Sequence, residues 1–219
     1  TSKSLGLAEI NLSEAINYVP ILNTNLISFA AYRSDVFDLD TNRLIQKFET
    51  EAKRNNAQIT KNSPVVAIKY SNSVWSVLTD TTEYRSSLIV NAAGAWVDNI
   101  SDLAGMEKIG FLPLRRSMAR IPLPSNFDVS KWAFFSGPSE DWYAKPDAGQ
   151  LIVSPAEEDL VEPHDAWAEN LILAKGISRY EEFVTTRVKT ISANWAGLRT
   201  FAPDRNLVIG SAKSNPSFF

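Results

Sequence analysis

Apolar residues recur at helical spacing in some segments of the chain and form short runs typical of strands in others. These two patterns predict helices and strands that follow one another along the sequence. Residues 88–90 are three consecutive aliphatic residues, which is typical of a buried strand, and the short side chains of residues 91–94 follow them. Helical spacing begins at Trp96 and continues to Ala104. Because a strand that turns into a helix through small residues leaves backbone N–H groups accessible, two interpretations stay open: a tight packing turn, or a surface for a flat or anionic ligand.

The region before this turn contains one amphipathic helix and a set of short strands. Asp40 is placed to cap the helix, Asn55-Asn56 to end it, and Glu49 and Lys53 to form a pair one helical turn apart. The apolar face of the helix is predicted from four residues at helical spacing: Leu44, Ile45, Phe48 and Ala52. Turn residues then separate three predicted strands, at Val65–Tyr70, Val74–Thr79 and Tyr84–Val90.

Frequent prolines and aromatic residues after Gly105 predict a different architecture, an antiparallel sheet with long loops. One helix is predicted within it, from Trp167 to Phe183, because apolar residues recur there at helical spacing. The predicted strand segments are Trp132–Phe135, Trp142–Lys145, Leu151–Val153, Arg187–Trp195 and Leu207–Gly210. The pattern indicates an α/β segment, an inserted antiparallel domain and a return to the first segment, which combines the α/β and α+β fold classes.

Composition narrows the function more than it narrows the fold. The 219 residues include no cysteine and one histidine, which argues against disulfides, thiolate chemistry and a metal site rich in these residues. A net charge of −3 argues against a nucleic-acid partner, and no apolar run reaches the roughly 18 residues of a membrane-spanning helix. We therefore expect a cytoplasmic protein without a metal and without stable membrane insertion. The polar start without methionine and the aromatic end at Phe218-Phe219 predict an internal piece of a longer protein.

Arginines near aromatic segments are the residues most suited to ligand binding. Arg115-Arg116 and Arg199, with Tyr143 as a neutral donor, could hold a carboxylate through bidentate hydrogen bonds, although solvated or stacking arginines are the more common arrangement. His164 is interpreted as structural or exposed, and the acidic run Glu157–Asp159 as a solvated turn. Four tryptophans are interpreted as core residues rather than as a ligand platform: Trp132, Trp142, Trp167 and Trp195.

Several motifs, taken in their order and spacing, carry a family resemblance. Leu88–Asp98 and Trp195–Asp204, the latter followed by Leu207–Gly210, resemble segments of the FAD-dependent oxidoreductases of the D-amino-acid oxidase superfamily. Within that superfamily, four further motifs are most similar to the bacterial catabolic D-arginine and D-amino acid dehydrogenases: Pro113–Ser117, Trp142–Gly149, Ser154–Ala156 and Pro163–Asp165. The resemblance extends from about Asp38 to Phe219.

The resemblance implies a partial FAD-binding domain of the glutathione-reductase-like type, into which an antiparallel substrate domain is inserted. Residues 1–106 would form the FAD-binding part, with some substrate-domain elements near 14–37; residues 107–195 would form the substrate domain, and residues 196–219 a truncated return. The sequence lacks the strand–Gly-x-Gly-x-x-Gly–helix unit with which the family begins, and it stops before the glycine-rich segment and helix with which the family ends. FAD is therefore expected in the full-length protein and not tightly bound by this chain alone.

Family residues can be matched to positions of this chain one by one. The substrate-facing residues match Arg116, Tyr143 and Arg199, with Arg199 expected to pair with the substrate carboxylate. The residues that lie against FAD match Val65, whose backbone would meet the adenine, and the turn residues Ala92, Ala93, Gly94 and Trp96.

The activity that the resemblance implies is oxidation of D-amino acids by hydride transfer to N5 of the flavin. The product is an imino acid, which water converts to a 2-oxo acid and ammonia. The reduced flavin would pass its electrons to oxygen or to a quinone. Three alternatives stay open: a sarcosine- or glycine-oxidase-like enzyme, an FAD oxidoreductase for 2-hydroxy acids, and a non-catalytic subunit of a multi-chain flavoenzyme.

Overall fold

The computed structural model describes residues 6–219, which contain four α-helices and eleven β-strands. The helices are α1 (Leu12–Tyr18), α2 (Thr41–Arg54), α3 (Val97–Leu103) and α4 (Asn170–Glu182). The strands are β1 (Ala8–Ile10), β2 (Ala30–Tyr32), β3 (Val65–Ser71), β4 (Val74–Thr79), β5 (Glu83–Ser86), β6 (Leu112–Ile121), β7 (Phe135–Ser136), β8 (Tyr143–Asp147), β9 (Gln150–Ser154), β10 (Asp159–Leu160) and β11 (Ala193–Phe201). All pairings between these described strands are antiparallel, and the predicted mixed fold class with an antiparallel sheet is confirmed.

These elements form two compact units. The first unit contains the chain up to Tyr32, Ala93–Asp98 and Ile109–Val208, and the second contains Arg33–Ala92, Asn99–Lys108 and Ile209–Phe219. The first unit holds the six-stranded sheet of β6 to β11, and the second holds α2 and the three-stranded sheet of β3 to β5. Strand β11 runs without interruption through residues 195 and 196, where a domain boundary is predicted from the sequence.

Strand β6 organises the sheet of the first unit. Strand β11 pairs with one edge of β6 along the whole length from Leu112 to Arg120, while β9 and β10 pair with the other edge. The sheet continues from β9 through β8 to the short β7. Strand β6 is therefore an interior strand of the sheet, and most of its ten residues are buried.

The two faces of this sheet differ in polarity, because successive side chains of a strand point to opposite sides. One face carries a cluster of buried apolar residues around Trp142 and packs against α4. On β6, Ala119 and Ile121 belong to this core cluster. The alternate residues Arg116 and Arg120 therefore point to the other face, which is where charged side chains are available for binding.

Close packing on the core face explains a glycine in the middle of α4. A Cβ on Gly176 would lie 2.4 Å from the Cβ and 2.6 Å from the Cα of Pro155. Glycine costs a helix about 1 kcal/mol relative to alanine, so its presence here marks a contact that leaves no room for a side chain. Pro155 belongs to the Ser154–Ala156 motif, and this contact gives that motif a structural role.

The second unit is built on β3, β4 and β5, which pair in chain order as a meander. Ile68, Trp75 and Phe218 are buried at its centre. The Trp75 indole N–H donates a hydrogen bond to Ser217 Oγ at 2.9 Å, so the polar end of this buried ring has a partner.

Helix α2 of the second unit begins and ends where its sequence predicts. Asp40 Oδ1 accepts a hydrogen bond from the Arg43 N–H at 2.9 Å, Lys53 Nζ lies 2.6 Å from Glu49 Oε1, and Asn55 is the C-terminal cap. The apolar face of α2 lies on the surface of the described residues, as shown by the exposed side chains of Leu44, Ile45 and Phe48.

The buried strand predicted at residues 88–90 is an exposed segment. Ile89 forms a single parallel bridge to Phe218, while Leu88 and Val90 are exposed by 44% and 67%. A parallel strand is buried when other strands flank both of its edges and other layers cover both of its faces. Among residues 6–219, one short neighbour pairs with this segment, so its aliphatic side chains stay exposed.

Other predicted bounds also change. The segments predicted at residues 142–145 and 151–153 are found as β8 and β9. Five predicted elements differ. β5 ends at Ser86, and the strand predicted at 132–135 is reduced to the two residues of β7, Phe135–Ser136. The helix predicted from Trp167 begins at Asn170, the strand predicted at 187–195 is found at Ala193–Phe201, and residues 207–210 form a loop. In that loop Leu207 and Ile209 are each 85% exposed, because no strand within the described chain pairs with them.

Candidate functional site

Arg116, Tyr143 and Arg199 come from three different strands and converge on one pocket of the first unit. The pocket has a volume of about 380 Å³, which lies within the range of small-molecule sites. Its lining residues are Arg116, Met118, Tyr143, Trp195, Gly197, Leu198 and Arg199. The structure thus brings together the three side chains that are matched to substrate-facing residues.

The register between β6 and β11 explains this convergence. Arg116 is paired with Gly197, Met118 with Trp195, and Leu114 with Arg199. Residues directly opposite each other in an antiparallel pair project from the same face, so these side chains share the face that carries Arg116. A Cβ on Gly197 would meet no atom within 4 Å, so this glycine leaves open space beside the guanidinium of Arg116.

The two adjacent arginines of β6 have different roles, because they point to opposite faces. Arg115 is buried and forms ion pairs with Asp159, at 2.8 Å, and with Glu169. Arg116 lies in the pocket wall, where its Nη2 is 3.2 Å from Glu158 Oε1 and its Cζ is 6.0 Å from the Tyr143 ring centroid. Of the pair singled out from the sequence, Arg116 therefore faces the pocket and Arg115 is structural.

Arg199 is the pocket cation most available to a ligand. Its Cζ lies 5.0 Å from the ring centroid of Phe201, a contact that orients a guanidinium without neutralising its charge. Among residues 6–219, no carboxylate forms an ion pair with Arg199. A planar guanidinium in this state is suited to bidentate hydrogen bonding with an incoming carboxylate.

Tyr143 contributes a hydroxyl with a weak partner. Its OH lies 3.5 Å from Met118 Sδ, and its ring contacts Phe134 with 5.4 Å between centroids. Because a thioether sulfur is a weak acceptor, the hydroxyl proton is available to a stronger acceptor such as a carboxylate oxygen. The pocket therefore combines two guanidinium groups and one neutral donor with the apolar side chains of Met118 and Trp195.

The acidic run at residues 157–159 is not the solvated turn predicted from the sequence. Glu157 Oε1 accepts from the backbone N–H of Ser117 at 2.6 Å, and Asp159, in β10, pairs with Arg115. Glu158 lies between them and reaches Arg116. The error has a physical reason: three acidic residues that are exposed on their own become paired when they lie antiparallel to two adjacent arginines on another strand. That complementarity of opposite charges is the sequence signal that could have revealed the pairing.

The tryptophans divide between core and pocket. Trp142 is 1% exposed in the core, and Trp132 packs partly buried against the same cluster, as predicted. Trp195 is a correction, because it lines the pocket and lies beneath the guanidinium of Arg120 at 5.3 Å. Trp167 is a second correction, since it is 66% exposed and its ring contacts His164 rather than the core.

The turn matched to the FAD-facing segment has the expected local form. A short 3₁₀ turn, Gly94–Trp96, leads directly into α3. Gly94 has φ +56°, which favours glycine, and a Cβ there would meet no atom within 4 Å. Ala92 and Trp96 are exposed, and Ala93 is half-buried. Val65 is the half-buried first residue of β3 in the second unit. Contact of these residues with a cofactor stays a prediction.

Asp98, which closes the same sequence motif, has a structural role. Its carboxylate accepts hydrogen bonds from the backbone N–H groups of Ile109, Gly110 and Phe111, at 3.3, 3.0 and 2.8 Å. These bonds hold the chain immediately before β6. The motif thus combines an accessible turn with an anchor for the strand that carries Arg116.

In residues 6–219 there is no group of three or more histidine, aspartate or glutamate side chains arranged to hold a metal ion. None of the four helices in this part of the chain has both the length and the apolar character needed to cross a bilayer.

Comparison with known proteins agrees with the FAD-related motifs. The chain matches the DAO family of FAD dependent oxidoreductases over residues 6–219. It is 26% identical over 176 residues to glycerol 3-phosphate dehydrogenase from Caloramator mitchellensis, which covers 76% of this chain and 36% of that protein. Its fold matches glycine oxidase from Geobacillus kaustophilus with a TM-score of 0.81 and 16% identity, over 100% of this chain and 58% of that one.

A third similar protein is the L-alpha-glycerophosphate oxidase from Mycoplasma pneumoniae, solved with FAD bound. The TM-score is 0.83 at 18% identity, and the match covers 97% of this chain and 58% of that one. The chain therefore spans somewhat more than half of these solved structures. Because the family match extends over all of the described residues, the chain belongs to the DAO family of FAD-dependent oxidoreductases.

Proposed function

We propose that this chain supplies the carboxylate-binding part of an FAD-dependent dehydrogenase or oxidase that converts D-amino acids to imino acids. The observation that carries the proposal is the convergence of Arg116, Tyr143 and Arg199 on one pocket, together with the absence of an ion-pair partner for Arg199 among residues 6–219. A substrate with one carboxylate supplies the missing negative charge.

The pocket residues divide the work of binding and orientation. Arg199 forms the ion pair with the substrate carboxylate, and Arg116 approaches it from the paired strand β6. The Tyr143 hydroxyl donates to a carboxylate oxygen in place of its contact with Met118. Because three donors on separate strands fix the carboxylate, the rest of a small substrate is held in one orientation, which is the main contribution of such a clamp to rate.

The residues of the 92–96 turn fit a bound FAD. Small side chains and the open space at Gly94 allow a flat ring to approach the backbone closely, and Ala92, Ala93, Gly94, Trp96 and Val65 are the residues that would contact it. When bound, FAD supplies the acceptor for the hydride that leaves the substrate Cα. The electrons of the reduced flavin would then pass to oxygen or to a quinone. We propose a cytoplasmic location for the protein.

A glycine-oxidase-like activity is the second candidate. The fold similarity to the Geobacillus kaustophilus glycine oxidase favours it, and the same clamp suits glycine because it requires the carboxylate and not a side chain. The chain is also similar to a glycerol 3-phosphate dehydrogenase, so a substrate that carries a phosphate has to be tested as well. Activity on such a substrate alone would contradict both amino acid candidates.

The experiment is a substrate screen with the complete, FAD-loaded protein that contains this chain. Reduction of a dye acceptor is measured with D-amino acids, glycine and sarcosine, 2-hydroxy acids and glycerol 3-phosphate. We expect D-amino acids to give the largest kcat/KM. Dye reduction by glycine and sarcosine alone would favour the second candidate. Reduction by hydroxy acids or glycerol 3-phosphate alone would overturn the proposal, as would the absence of reduction by every compound.

Replacing Gly197 by valine is expected to weaken binding of a carboxylate ligand at least about tenfold without unfolding the chain. The new side chain enters the open space opposite Arg116, and a β-branched residue is favourable in a strand. Acetate titration followed by tryptophan fluorescence, and the melting temperature of the variant, provide the measurement. Gly149→Val is not a suitable control because Gly149 has φ +77°, so Ala193→Val, on the same strand and outside the pocket lining, is used. Equal loss of affinity in both variants would contradict this prediction.

A further inference from the structure

Glu158 occupies a position between two arginines that the proposed substrate clamp does not explain. Its Oε1 lies 3.2 Å from Arg116 Nη2 and 3.3 Å from Arg205 Nη1, and its Oε2 lies 2.5 Å from Arg205 Nη2. One carboxylate thus joins a pocket-lining arginine to an arginine in the loop after β11. This loop therefore holds Glu158 against the pocket wall.

The three charged side chains of this cluster differ in how much of each is exposed to solvent. The Arg116 side chain is 10% exposed, Glu158 is 33% exposed, and Arg205 is 58% exposed. Solvent and salt screen the most exposed of these charges, that of Arg205, most strongly. A ligand in the pocket therefore experiences the positive charges of Arg116 and Arg199 together with the negative charge of Glu158, which Arg205 partly offsets.

Arg199 and Arg205 are arranged around one aromatic ring, which keeps this charge cluster together. Their Cζ atoms lie 5.0 and 4.8 Å from the ring centroid of Phe201. The hydrogen bond from Arg205, and then the positive charges of Arg205, Arg116 and Arg199, hold the pKa of Glu158 below its usual range against the effect of partial burial. Glu158 consequently stays ionised at neutral pH.

We propose that Glu158 is a specificity-determining residue that shifts the preference of the pocket away from ligands with two negative charges and towards ligands with one. The two guanidinium groups alone would present two positive charges to a ligand, and the carboxylate of Glu158 lowers this charge, which reduces the attraction of a dianion more than that of a monoanion. A doubly charged phosphate ester experiences twice the repulsion from Glu158 that a carboxylate does. This role rests on the proposed function, because it assigns the ligand anion to Arg116 and Arg199.

Proteins similar to this chain are named for two types of ligand that differ in charge. The similar proteins include one named for glycine, which carries one carboxylate, and others named for glycerol phosphates, which carry a doubly charged phosphate ester near neutral pH. A carboxylate beside the anion clamp favours the first type of ligand. With Glu158 included, the proposed function becomes more specific: the pocket is expected to prefer a ligand with one carboxylate over other anions.

The test compares two small anions that lack an amino group, so that Glu158 cannot bind them directly. Acetate carries one charge, and methyl phosphate carries two at pH 8. Both are titrated into the 219-residue chain at low salt, in a buffer without competing anions, and Trp195 in the pocket wall provides the fluorescence signal. The measured quantity is the ratio of the two dissociation constants.

Four variants isolate the contribution of Glu158. Glu158→Gln keeps the size of the side chain and an acceptor oxygen but removes the charge, whereas Glu158→Asp keeps the charge. Asp159→Asn is the matched control, because it removes one charge from the next residue, which pairs with Arg115 on the other face of the sheet. Arg116→Gln tests the clamp itself. The melting temperature of each variant reports whether it remains folded.

We expect Glu158→Gln to improve methyl phosphate binding relative to acetate about tenfold, while Glu158→Asp and Asp159→Asn keep the ratio of the unmodified chain. An unchanged ratio in Glu158→Gln, or an equal change in Asp159→Asn, would overturn the role of Glu158 even if both anions bind. If the unmodified chain binds neither anion, or if Arg116→Gln leaves acetate binding intact, the carboxylate clamp itself is contradicted and the role of Glu158 is overturned with it.

Discussion

Replacing Trp142 by alanine is expected to lower the free energy of unfolding of the first unit by about 3–5 kcal/mol. The side chain is 1% exposed and packs against three other aromatic rings, with centroid distances of 5.5 Å to Tyr180, 5.7 Å to Phe183 and 5.9 Å to Phe135. Alanine removes these contacts and leaves a cavity that the sheet and α4 cannot close without moving the backbone.

Two features make this site intolerant of rearrangement. A Cβ on Gly137 would lie 2.4 Å from the Trp142 Nε1, so the indole lies directly on the backbone of the chain before it. Helix α4, which contributes Tyr180 to the contacts of this ring, is itself held in place by the close contact between Gly176 and Pro155. A truncated side chain at position 142 therefore leaves empty space that neighbours have little freedom to fill.

The measurement is urea-induced unfolding followed by far-UV circular dichroism, which does not depend on the fluorescence of the replaced indole. Trp195→Ala serves as the matched control, because Trp195 lies in β11 of the same sheet but is 38% exposed in the pocket wall. It should cost less than about 1 kcal/mol while removing the fluorescence response to ligands. Equal destabilisation by the two variants would contradict the assignment of Trp142 to the core.

Features that depend on residues close in the sequence could be predicted well. The cap of α2 by Asp40 and its end at Asn55 follow from side chains that bond to backbone groups three or four residues away. The strands β8 and β9 follow from short apolar segments separated by the Ala148-Gly149 turn, where both residues have positive φ. Such signals need no knowledge of the rest of the chain, so the elements could be located before their partners were known.

Features that depend on distant residues could not be predicted from the same patterns. The aliphatic residues 88–90 and 207–210 have the composition of strands, but a strand also needs neighbours, and within residues 6–219 the first has one short neighbour and the second has none. Likewise Arg115 and Arg116 are equivalent in the sequence. The strand direction of β6 and the placement of residues 157–159 decide which of the two reaches the pocket.

The candidate site shows the same division. The resemblance to known oxidoreductases was sufficient to select Arg116, Tyr143 and Arg199, and the structure brings them into one pocket. The sequence does not indicate Gly197, Trp195 or Glu158 as site residues, because their place in the site depends on strand register and on a loop contact across 47 residues. The one sequence signal for Glu158 is that an acidic run is complementary in charge to two adjacent arginines. An acidic run of this kind is equally typical of a solvated surface turn.

Replacing Arg199 by alanine is expected to weaken binding of a carboxylate substrate by about thirtyfold, which corresponds to about 2 kcal/mol, and to raise KM in the complete enzyme by a similar factor. Arg199 is the pocket guanidinium without an ion-pair partner among residues 6–219, so its removal deletes the strongest attraction for the carboxylate. Stability should change little, because the side chain is exposed and contacts mainly the ring of Phe201.

Two controls separate charge, geometry and unspecific loss in this last experiment. Arg199→Lys keeps the positive charge but loses the planar pair of donors, so it should recover part of the affinity and not all of it. Arg187→Ala removes an arginine whose side chain is 74% exposed and whose ion pair is with Glu181, outside the pocket, and it should leave KM unchanged. Because Arg116 remains in place and is partly neutralised by Glu158, residual binding in Arg199→Ala is expected to be weak but measurable. An unchanged KM in Arg199→Ala would remove Arg199 from the substrate site and leave Arg116 as the main carboxylate ligand.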